Sequence, residues 1–216
     1  PTTAGPVEHR FAGVSFFESG DVLLRDYDRD RRWGRTFLTP LGGPAAARKL
    51  IFDRSVQDRY NDPGRPVEKT LPNGHRVLRT AGGKLILSGA GATPAGEFPF
   101  LDLFDPATGR ADRVFRCKPG VYETVAAVLD DDANRLLVRR ESPTEPGNYF
   151  LRENGRETPI TTPADPFPEL RTVSKQLVTT KRADGVTVSF TLYVPPGVKP
   201  GEKLPTVFWA YPREFN

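Results

Sequence analysis

Short runs rich in Val, Leu, Phe and Tyr recur from residue 14 to residue 161, and turn signals separate each run from the next. No window of about 12 residues shows a clean apolar period of about 3.6 residues between helix caps. The pattern therefore excludes a helical fold for this part of the chain and predicts an all-β architecture.

The predicted strands fall into three sets, with about four strands in every 45 to 50 residues. A repeat of this size favours the blades of a β-propeller, because one four-stranded sheet cannot cover its own faces and must stack against others. A sandwich of about 12 strands would use the same strands. The predicted strands are residues 14–17, 22–27, 35–38 and 49–52; residues 67–71, 76–80, 85–88 and 100–104, with 113–115 beyond; and residues 124–129, 135–140, 148–151 and 159–161.

The pattern changes after residue 162. Residues 163–168 contain three Pro and predict an extended crossover. Residues 176–182 and 186–194 then predict a long hairpin, and the apolar run 206–210 predicts a strand buried on both faces. We therefore divide the chain into a partial propeller of about three blades (1–164), a crossover linker (165–174) and the start of a second domain (175–216).

Composition excludes several classes of function. No apolar run approaches the roughly 18 residues of a transmembrane helix. Cys117 is the only Cys, which excludes an intrachain disulfide framework and a Cys-based zinc site. The net charge of +4 is scattered, which indicates a solvated mixed surface and not a nucleic-acid interface. Because the chain begins at Pro1 and contains no Met, we expect either a piece of a longer protein or a sequence from which some residues are missing.

Several segments carry a resemblance to a known family. Residues 181–186 read KRADGV, 191–197 read TLYVPPG, and 204–212 contain LP followed by FWAYP. Residues 51–55 read IFDRS, 89–94 read GAGATP, 98–105 read FPFLDLFD, and 123–125 read ETV. Together they resemble the prolyl oligopeptidase family of serine peptidases, and stretches 89–105 and 181–215 are similar to its glutamyl endopeptidase branch in particular.

The resemblance implies a seven-bladed propeller that caps an α/β-hydrolase domain. This chain would then hold roughly the last three blades and the first strands of the hydrolase sheet. The implied activity is hydrolysis of peptide bonds, in that branch after Glu, with the propeller filtering access to the site. The implied partners are a peptide substrate and the remainder of the same chain, without a cofactor, nucleic acid or membrane span. The alternative is a non-catalytic propeller module that binds a protein or peptide.

The family's nucleophile lies in a G-x-S-x-G turn and is followed by an Asp and a His. The nearest match here, residues 13–17, lacks the second Gly. The two histidines, His9 and His75, lie in the predicted blade region, ahead of any hydrolase strand. We therefore assign no nucleophile, acid or base, and expect these 216 residues alone to hydrolyse nothing.

Two residues near the end of the chain are candidate site residues by the same resemblance. Tyr211 follows the predicted strand 206–210 and would donate its hydroxyl to the oxyanion of the transition state. The alternative is that its ring only packs at the strand end. Arg213 would bind the carboxylate of a Glu side chain in the S1 pocket. The alternative is a surface ion pair with Glu214.

Two further patterns are weaker. The acidic and amide residues of the segment 130–141 occupy positions 1, 3, 5 and 12 of a calcium-binding loop, but Arg135 stands where that loop needs Gly. A hairpin turn is therefore favoured there. Residues 88–96 are rich in Gly but lack the Lys-Ser/Thr ending of a phosphate-binding loop, so we predict a long loop between strands. The calcium-loop candidates are Asp130, Asp132, Asn134 and Glu141.

Overall fold

The structure is a computed structural model and describes residues 6–44 and 47–210. In this part of the chain the regular structure is β, apart from a short 3-10 helix at Pro168–Thr172. The strands pair antiparallel throughout the described residues. The prediction of an all-β architecture is confirmed.

The first sheet is a four-stranded meander whose strands are neighbours in the order in which they occur in the sequence. All four predicted strands are present and are longer than expected. A register shift between Phe11 and Gly13 places a bulge in the first strand. The strands are β1 (Arg10–Phe16), β2 (Asp21–Asp28), β3 (Trp33–Pro40) and β4 (Lys49–Ser55).

The second region of the chain differs from the prediction. Its strands are β5 (Arg65–Pro66), β6 (Glu68–Thr70), β7 (Arg76–Leu78), β8 (Thr80–Ala81), β9 (Lys84–Gly89), β10 (Ala92–Thr93), β11 (Gly96–Glu97), β12 (Phe100–Phe104) and β13 (Ala111–Arg116). Segments 67–71 and 76–80 were expected as two strands of the second sheet, but most of these residues form a separate hairpin of β6 and β7. The short strands β5 and β8 flank that hairpin and pair with opposite halves of β9, so they share one strand position.

The hydrogen bonds of Val67 mark the point at which the shared strand breaks. The Val67 N–H bonds to the Ile86 carbonyl at 2.8 Å, and the Val67 carbonyl then accepts the Arg79 N–H at 2.8 Å. The chain therefore leaves the sheet after Val67, makes the β6–β7 hairpin and returns beside β9. As a result β13, expected beyond the sheet, is its outer strand.

The third sheet is again a four-stranded meander. Three of its strands match the prediction, whereas the fourth lies a few residues earlier than expected, because the turn at Asn154 and Gly155 is tight and both residues take a positive φ. The strands are β14 (Tyr122–Val128), β15 (Arg135–Glu141), β16 (Asn148–Glu153) and β17 (Arg156–Pro159).

The three sheets stack in chain order, with the second sheet between the other two. In β9, Leu85 and Leu87 pack toward the first sheet with Leu23, whereas Ile86 packs toward the third sheet with Val138. This alternation follows from the two-residue period of a strand. A sheet buried on both faces by two neighbours fits stacked blades, and the two-layer sandwich considered above is wrong.

The stack has two ends, which the topology distinguishes. The connector end carries the segments that link one sheet to the next (56–64 and 117–121) and the loops 90–99 and 142–147. The turn end carries the tight turns 17–20, 105–110 and 129–134. Because β17 runs back toward the connector end, the crossover after residue 159 leaves the third sheet there.

Beyond the crossover, β18 (Ser174–Lys181) and β19 (Thr187–Val194) form the predicted long hairpin. Residues 206–210 were predicted as a buried strand, but this is wrong in the structure. They form no strand, and Val207, Phe208 and Trp209 are 89–91% exposed. A buried strand needs neighbours on both faces, and the described residues place none beside this segment. No helix in the described part of the chain has the length and apolarity needed to span a membrane.

Candidate functional site

The two residues predicted at a catalytic site, Tyr211 and Arg213, lie outside the described residues. The described residues bring together no serine and histidine pair that could act as nucleophile and base. Ser15, from the partial G-x-S-x-G match, is buried within β1 and accepts a hydrogen bond from Arg25 at 3.2 Å. His75 is exposed at the tip of the β6–β7 hairpin, and His9 lies 3.8 Å from Glu8.

Cys117 is buried and has a structural environment. Its sulfur accepts the Glu123 N–H at 3.1 Å and lies 3.3 Å from the Val121 carbonyl oxygen. No cationic group contacts it among the described residues, so the thiol has no activating neighbour there.

The calcium-loop candidates form a hairpin turn between β14 and β15. The Asp130 carboxylate accepts the Asn134 N–H at 3.0 Å, and Ala133 takes a positive φ of 58°. Glu141 lies at the far end of β15, so the four candidates do not converge. Within residues 6–44 and 47–210, no group of three or more His, Cys, Asp or Glu side chains is placed to hold a metal ion.

Three concave surfaces lie near one another at the connector end. One cavity of about 530 Å³ is lined by connector residues 56–65, by loop residues 88–92 and by Tyr122 and Thr124 of β14. We call it the central cavity. A neighbouring cavity of about 360 Å³ is formed largely by the first sheet and shares Val56, Asp62, Gly64 and Arg65 with the central cavity. Arg65 therefore stands between the two.

Close backbone packing builds one wall of the central cavity. Gly64 has φ of +85°, and a Cβ atom there would lie 2.6 Å from the Ser88 carbonyl oxygen. A Cβ atom on Gly89 would lie 2.5 Å from the Phe100 ring, and one on Gly91 would lie 2.1 Å from the Phe98 carbonyl oxygen. These positions accept only Gly in this conformation. The Gly-rich stretch 88–96 is thus a loop between strands, as predicted, and its glycines let the connector approach β9.

Some charged groups around the central cavity form ion pairs with other described residues, whereas Arg65 forms none. Arg59 lies 2.8 Å from Glu97 across the cavity rim. Asp62 accepts the Gly64 N–H at 3.0 Å and lies 3.8 Å from Arg54. The guanidinium group of Arg65 is exposed and has no hydrogen-bond or ion-pair partner among the residues that the structure describes.

Tyr122 separates the central cavity from a second cavity of about 530 Å³, which is lined by loop 142–147 and by Arg171 and Lys175. Burial raises the pKa of the Tyr122 phenol, and the nearby Glu97, Cys117 and Glu141 raise it further. The ordinary value is 10.0, so the hydroxyl stays protonated at neutral pH and can donate a hydrogen bond.

Arg171 joins the crossover to the third sheet. Its Nε donates to Asp165 at 2.6 Å, and its Nη1 lies 3.4 Å from the Ser142 carbonyl oxygen. The crossover is therefore held against loop 142–147 at the connector end. Whatever follows residue 174 starts on the same end of the stack as the central cavity.

A further cavity of about 600 Å³ lies at the turn end, between the first and second sheets. Lys49 bridges its rim by donating to the Ala107 carbonyl oxygen at 2.6 Å. Its floor includes Leu38 and Leu78, which belong to the core between the two sheets. This cavity lies at the opposite end from the crossover.

Sequence reasoning did not identify Arg65 or Tyr122. Arg65 is one of many Arg residues in the chain, and its distinguishing feature, an unpaired guanidinium beside a cavity, arises only from tertiary packing. Tyr122 lies two residues before the predicted strand 124–129 and begins the observed strand β14, where an aromatic residue is expected for packing alone.

Comparison with known proteins places this geometry in context. No protein-family model matches the chain. It is 33% identical over 234 residues to the probable chloroplastic glutamyl endopeptidase of Oryza sativa subsp. japonica. It is 32% identical over 235 residues to the protein of the same name from Arabidopsis thaliana. Both matches cover the whole chain but only 25% and 24% of the relatives, so the chain spans about a quarter of their length.

Two solved structures share the fold. Oligopeptidase B from Trypanosoma brucei, with covalently bound antipain, matches 91% of this chain and 26% of its own, with a TM-score of 0.53 and 13% identity. Oligopeptidase B from Leishmania major matches 90% of this chain and 33% of its own, with a TM-score of 0.52 and 9% identity. These likenesses concern the fold alone. The similarity of the whole chain to the two probable glutamyl endopeptidases confirms the resemblance to the glutamyl endopeptidase branch of the prolyl oligopeptidase family.

Proposed function

We propose that this chain is part of a serine peptidase that hydrolyses peptide bonds after Glu. The observation that carries the proposal is the match of its whole length to two proteins named as probable glutamyl endopeptidases. The nucleophile, acid and base would come from the part of the protein outside these 216 residues.

The proposal includes the domain division that we predicted from the sequence. Residues 1–164 would be part of a propeller, 165–174 the crossover linker, and 175–216 the start of the α/β-hydrolase domain. Arg171 supports this arrangement, because it holds the crossover at the connector end. The propeller would then cover the active site and limit access to it by size.

Two residue roles follow from the family resemblance. Tyr211 would donate a hydrogen bond to the oxyanion. One such donor typically lowers the activation free energy by about 3 kcal/mol. Arg213 would bind the carboxylate of the Glu residue at the cleaved bond through its planar fork of donors.

The test is active-site labelling of the full-length protein that contains this chain. A fluorophosphonate probe should label one serine, and short peptides should be cut after Glu in preference to Gln. The 216-residue chain on its own should neither label nor hydrolyse peptides. A full-length protein without a labelled serine that still bound peptides would instead be a non-catalytic binding module.

The proposed filter has its own measurement. A Glu-containing peptide of about ten residues should be cut by the full-length protein, whereas the same sequence within a folded protein loop should resist. Equal rates for the two substrates would remove the size filter from the proposal and leave the peptidase assignment in place.

A further inference from the structure

Arg65 occupies an unusual position at the connector end. Its backbone is fixed, because β5 pairs with β9 at Ser88 and the preceding Gly64 packs against the Ser88 carbonyl group. Arg65 lines both the central cavity and the neighbouring 360 Å³ cavity. A cation held on a rigid strand at the junction of two cavities is positioned to meet a ligand in either of them.

The acids nearest to Arg65 are engaged elsewhere. Asp62 accepts the Gly64 N–H and pairs loosely with Arg54, and Glu97 pairs with Arg59. In the neighbouring cavity, Asp26 is held by two bonds from Arg35. No acid among the described residues lies within ion-pair distance of Arg65, so none of them neutralises its charge.

The central cavity also offers a hydrogen-bond donor beside this charge. The Tyr122 phenol lines the same cavity and stays protonated at neutral pH. A guanidinium group and a phenol can both donate to a carboxylate, which accepts through two oxygens. Val56, Pro99 and Val125 complete the lining with apolar surface, which suits the methylene groups of a peptide side chain.

We propose that the central cavity is a carboxylate-binding subsite for acidic peptides, with Arg65 as the residue that recognises the carboxylate. The inference rests on the proposed peptidase function, which supplies a peptide at this end of the stack. It adds a specificity contact on the propeller side, separate from Arg213 and from the residues that cut the bond. The carboxylate can come from an acidic side chain or from the C-terminus of the peptide.

The experiment measures binding and therefore does not depend on turnover. The full-length protein, pretreated with a fluorophosphonate, is titrated with the amidated peptide Ala-Ala-Glu-Ala-Ala, with its Gln counterpart, and with the Gln peptide carrying a free C-terminus. The wild type should bind a peptide with a carboxylate more tightly than the amidated Gln peptide. Arg65→Gln should weaken carboxylate binding about tenfold and leave the amidated Gln peptide unchanged.

The arms separate the source of the carboxylate. Loss confined to the Glu peptide identifies a side-chain subsite, and loss confined to the free C-terminus identifies a terminal-carboxylate subsite. Arg156→Gln is the matched control, because Arg156 is exposed at the turn end and should leave all three affinities unchanged. The melting temperature of Arg65→Gln should match that of the wild type, since its guanidinium makes no described contact.

Equal affinities of the wild type and Arg65→Gln for all three peptides would overturn the subsite. It would also be overturned if the wild type bound the Glu peptide, the amidated Gln peptide and the Gln peptide with a free C-terminus equally tightly. A loss of the same size in Arg156→Gln would also overturn it, because the effect would then be one of general charge. If the proposed peptidase function is wrong, the fluorophosphonate will label no serine, so the two failures can be told apart.

Discussion

Glu123 and Arg140 lie directly opposite each other on β14 and β15, and Nη2 of Arg140 is 2.6 Å from a carboxylate oxygen of Glu123. The Glu123 side chain is 2% exposed. Each of the other two sheets contains a buried carboxylate opposite an Arg on the adjacent strand, at 2.6 Å and 2.8 Å respectively. These pairs are Asp26 with Arg35 and Asp102 with Arg113.

An aromatic ring lies against the guanidinium group in two of these pairs. The guanidinium carbon of Arg140 lies 4.5 Å from the centre of the Phe150 ring, and that of Arg113 lies 4.3 Å from the centre of the Phe100 ring. The ring face attracts the cation and shields it from water. Each sheet thus holds a charged pair within its hydrogen-bonded ladder, where the register fixes both partners.

Replacement of the buried acid should be costly. Glu123→Gln removes the charge that Arg140 contacts at 2.6 Å and Arg152 at 3.5 Å. Removing one partner of a buried pair costs about 3 kcal/mol or more where the other charge is left unpaired. Arg140 keeps Glu157 at 2.6 Å, so we expect a loss of about 1 to 3 kcal/mol. Urea denaturation should therefore show a clearly lower midpoint for Glu123→Gln than for the wild type.

Glu153→Gln is the control for this change. Glu153 also faces an Arg directly across two strands of the third sheet, at 2.8 Å from Arg135, but both side chains are more than 40% exposed. An exposed pair contributes about 0 to 1 kcal/mol. Equal midpoint shifts for the two variants would contradict the argument from burial.

The first sheet should respond to acid. Hydrogen bonds from Arg35 hold the pKa of Asp26 below its ordinary value of 3.8, although burial opposes this. The unfolded chain then binds the proton more readily, so the stabilisation is complete at neutral pH and declines as the pH falls through 3.8 and below. The melting temperature of the wild type should drop more steeply over about pH 5 to 3 than that of Asp26→Asn. Parallel curves would show that Asp26 does not carry this dependence.

Gly64 and Gly74 separate backbone strain from steric conflict. Both take a positive φ, 85° and 84°, but a Cβ atom on Gly64 would lie 2.6 Å from the Ser88 oxygen, whereas one on Gly74 would meet nothing within 4 Å. Gly74→Ala should cost about 1 kcal/mol from conformation alone. Gly64→Ala should cost clearly more and should distort the central cavity, so that thermal unfolding ranks the two variants. Equal losses would mean that the connector can move away from Ser88 at little cost.

The sequence could predict the number and order of most strands, because alternating apolar residues and turn signals report local structure. It could not predict that β5 and β8 share one strand position, since the alternation of a strand does not identify its neighbour. Glu123 illustrates a second limit. A carboxylate at an alternating strand position indicates solvent exposure, and only the register that places Arg140 opposite it makes burial tolerable. Residues 206–210 illustrate a third, because apolar character alone does not supply the neighbours that bury a strand.

Tyr211 gives a prediction that depends on the family resemblance alone. In the full-length enzyme, Tyr211→Phe should lower kcat roughly a hundredfold and change substrate binding much less, because an oxyanion donor acts mainly on the transition state. Phe keeps the ring and removes only the donor. An unchanged kcat in Tyr211→Phe, together with a loss of stability in Tyr211→Ala, would favour the packing role.

Arg171 should control how firmly the crossover is held. It binds Asp165 at 2.6 Å and reaches the carbonyl groups of loop 142–147, whereas the neighbouring Phe167 and Leu170 are 58% and 60% exposed. Arg171→Gln removes the ion pair and shortens the reach to the loop, so the segment should open more often. Because exposed backbone that opens is cut faster, chymotrypsin should cleave after Leu170 several times faster in Arg171→Gln than in the wild type, whereas the bond after Phe167 resists cleavage because Pro168 follows it. Arg182→Gln serves as the control, since Arg182 pairs with Asp184 at the tip of the β18–β19 hairpin, away from the crossover. The same cleavage rate in all three proteins would show that the 3-10 helix and its prolines hold the crossover without Arg171.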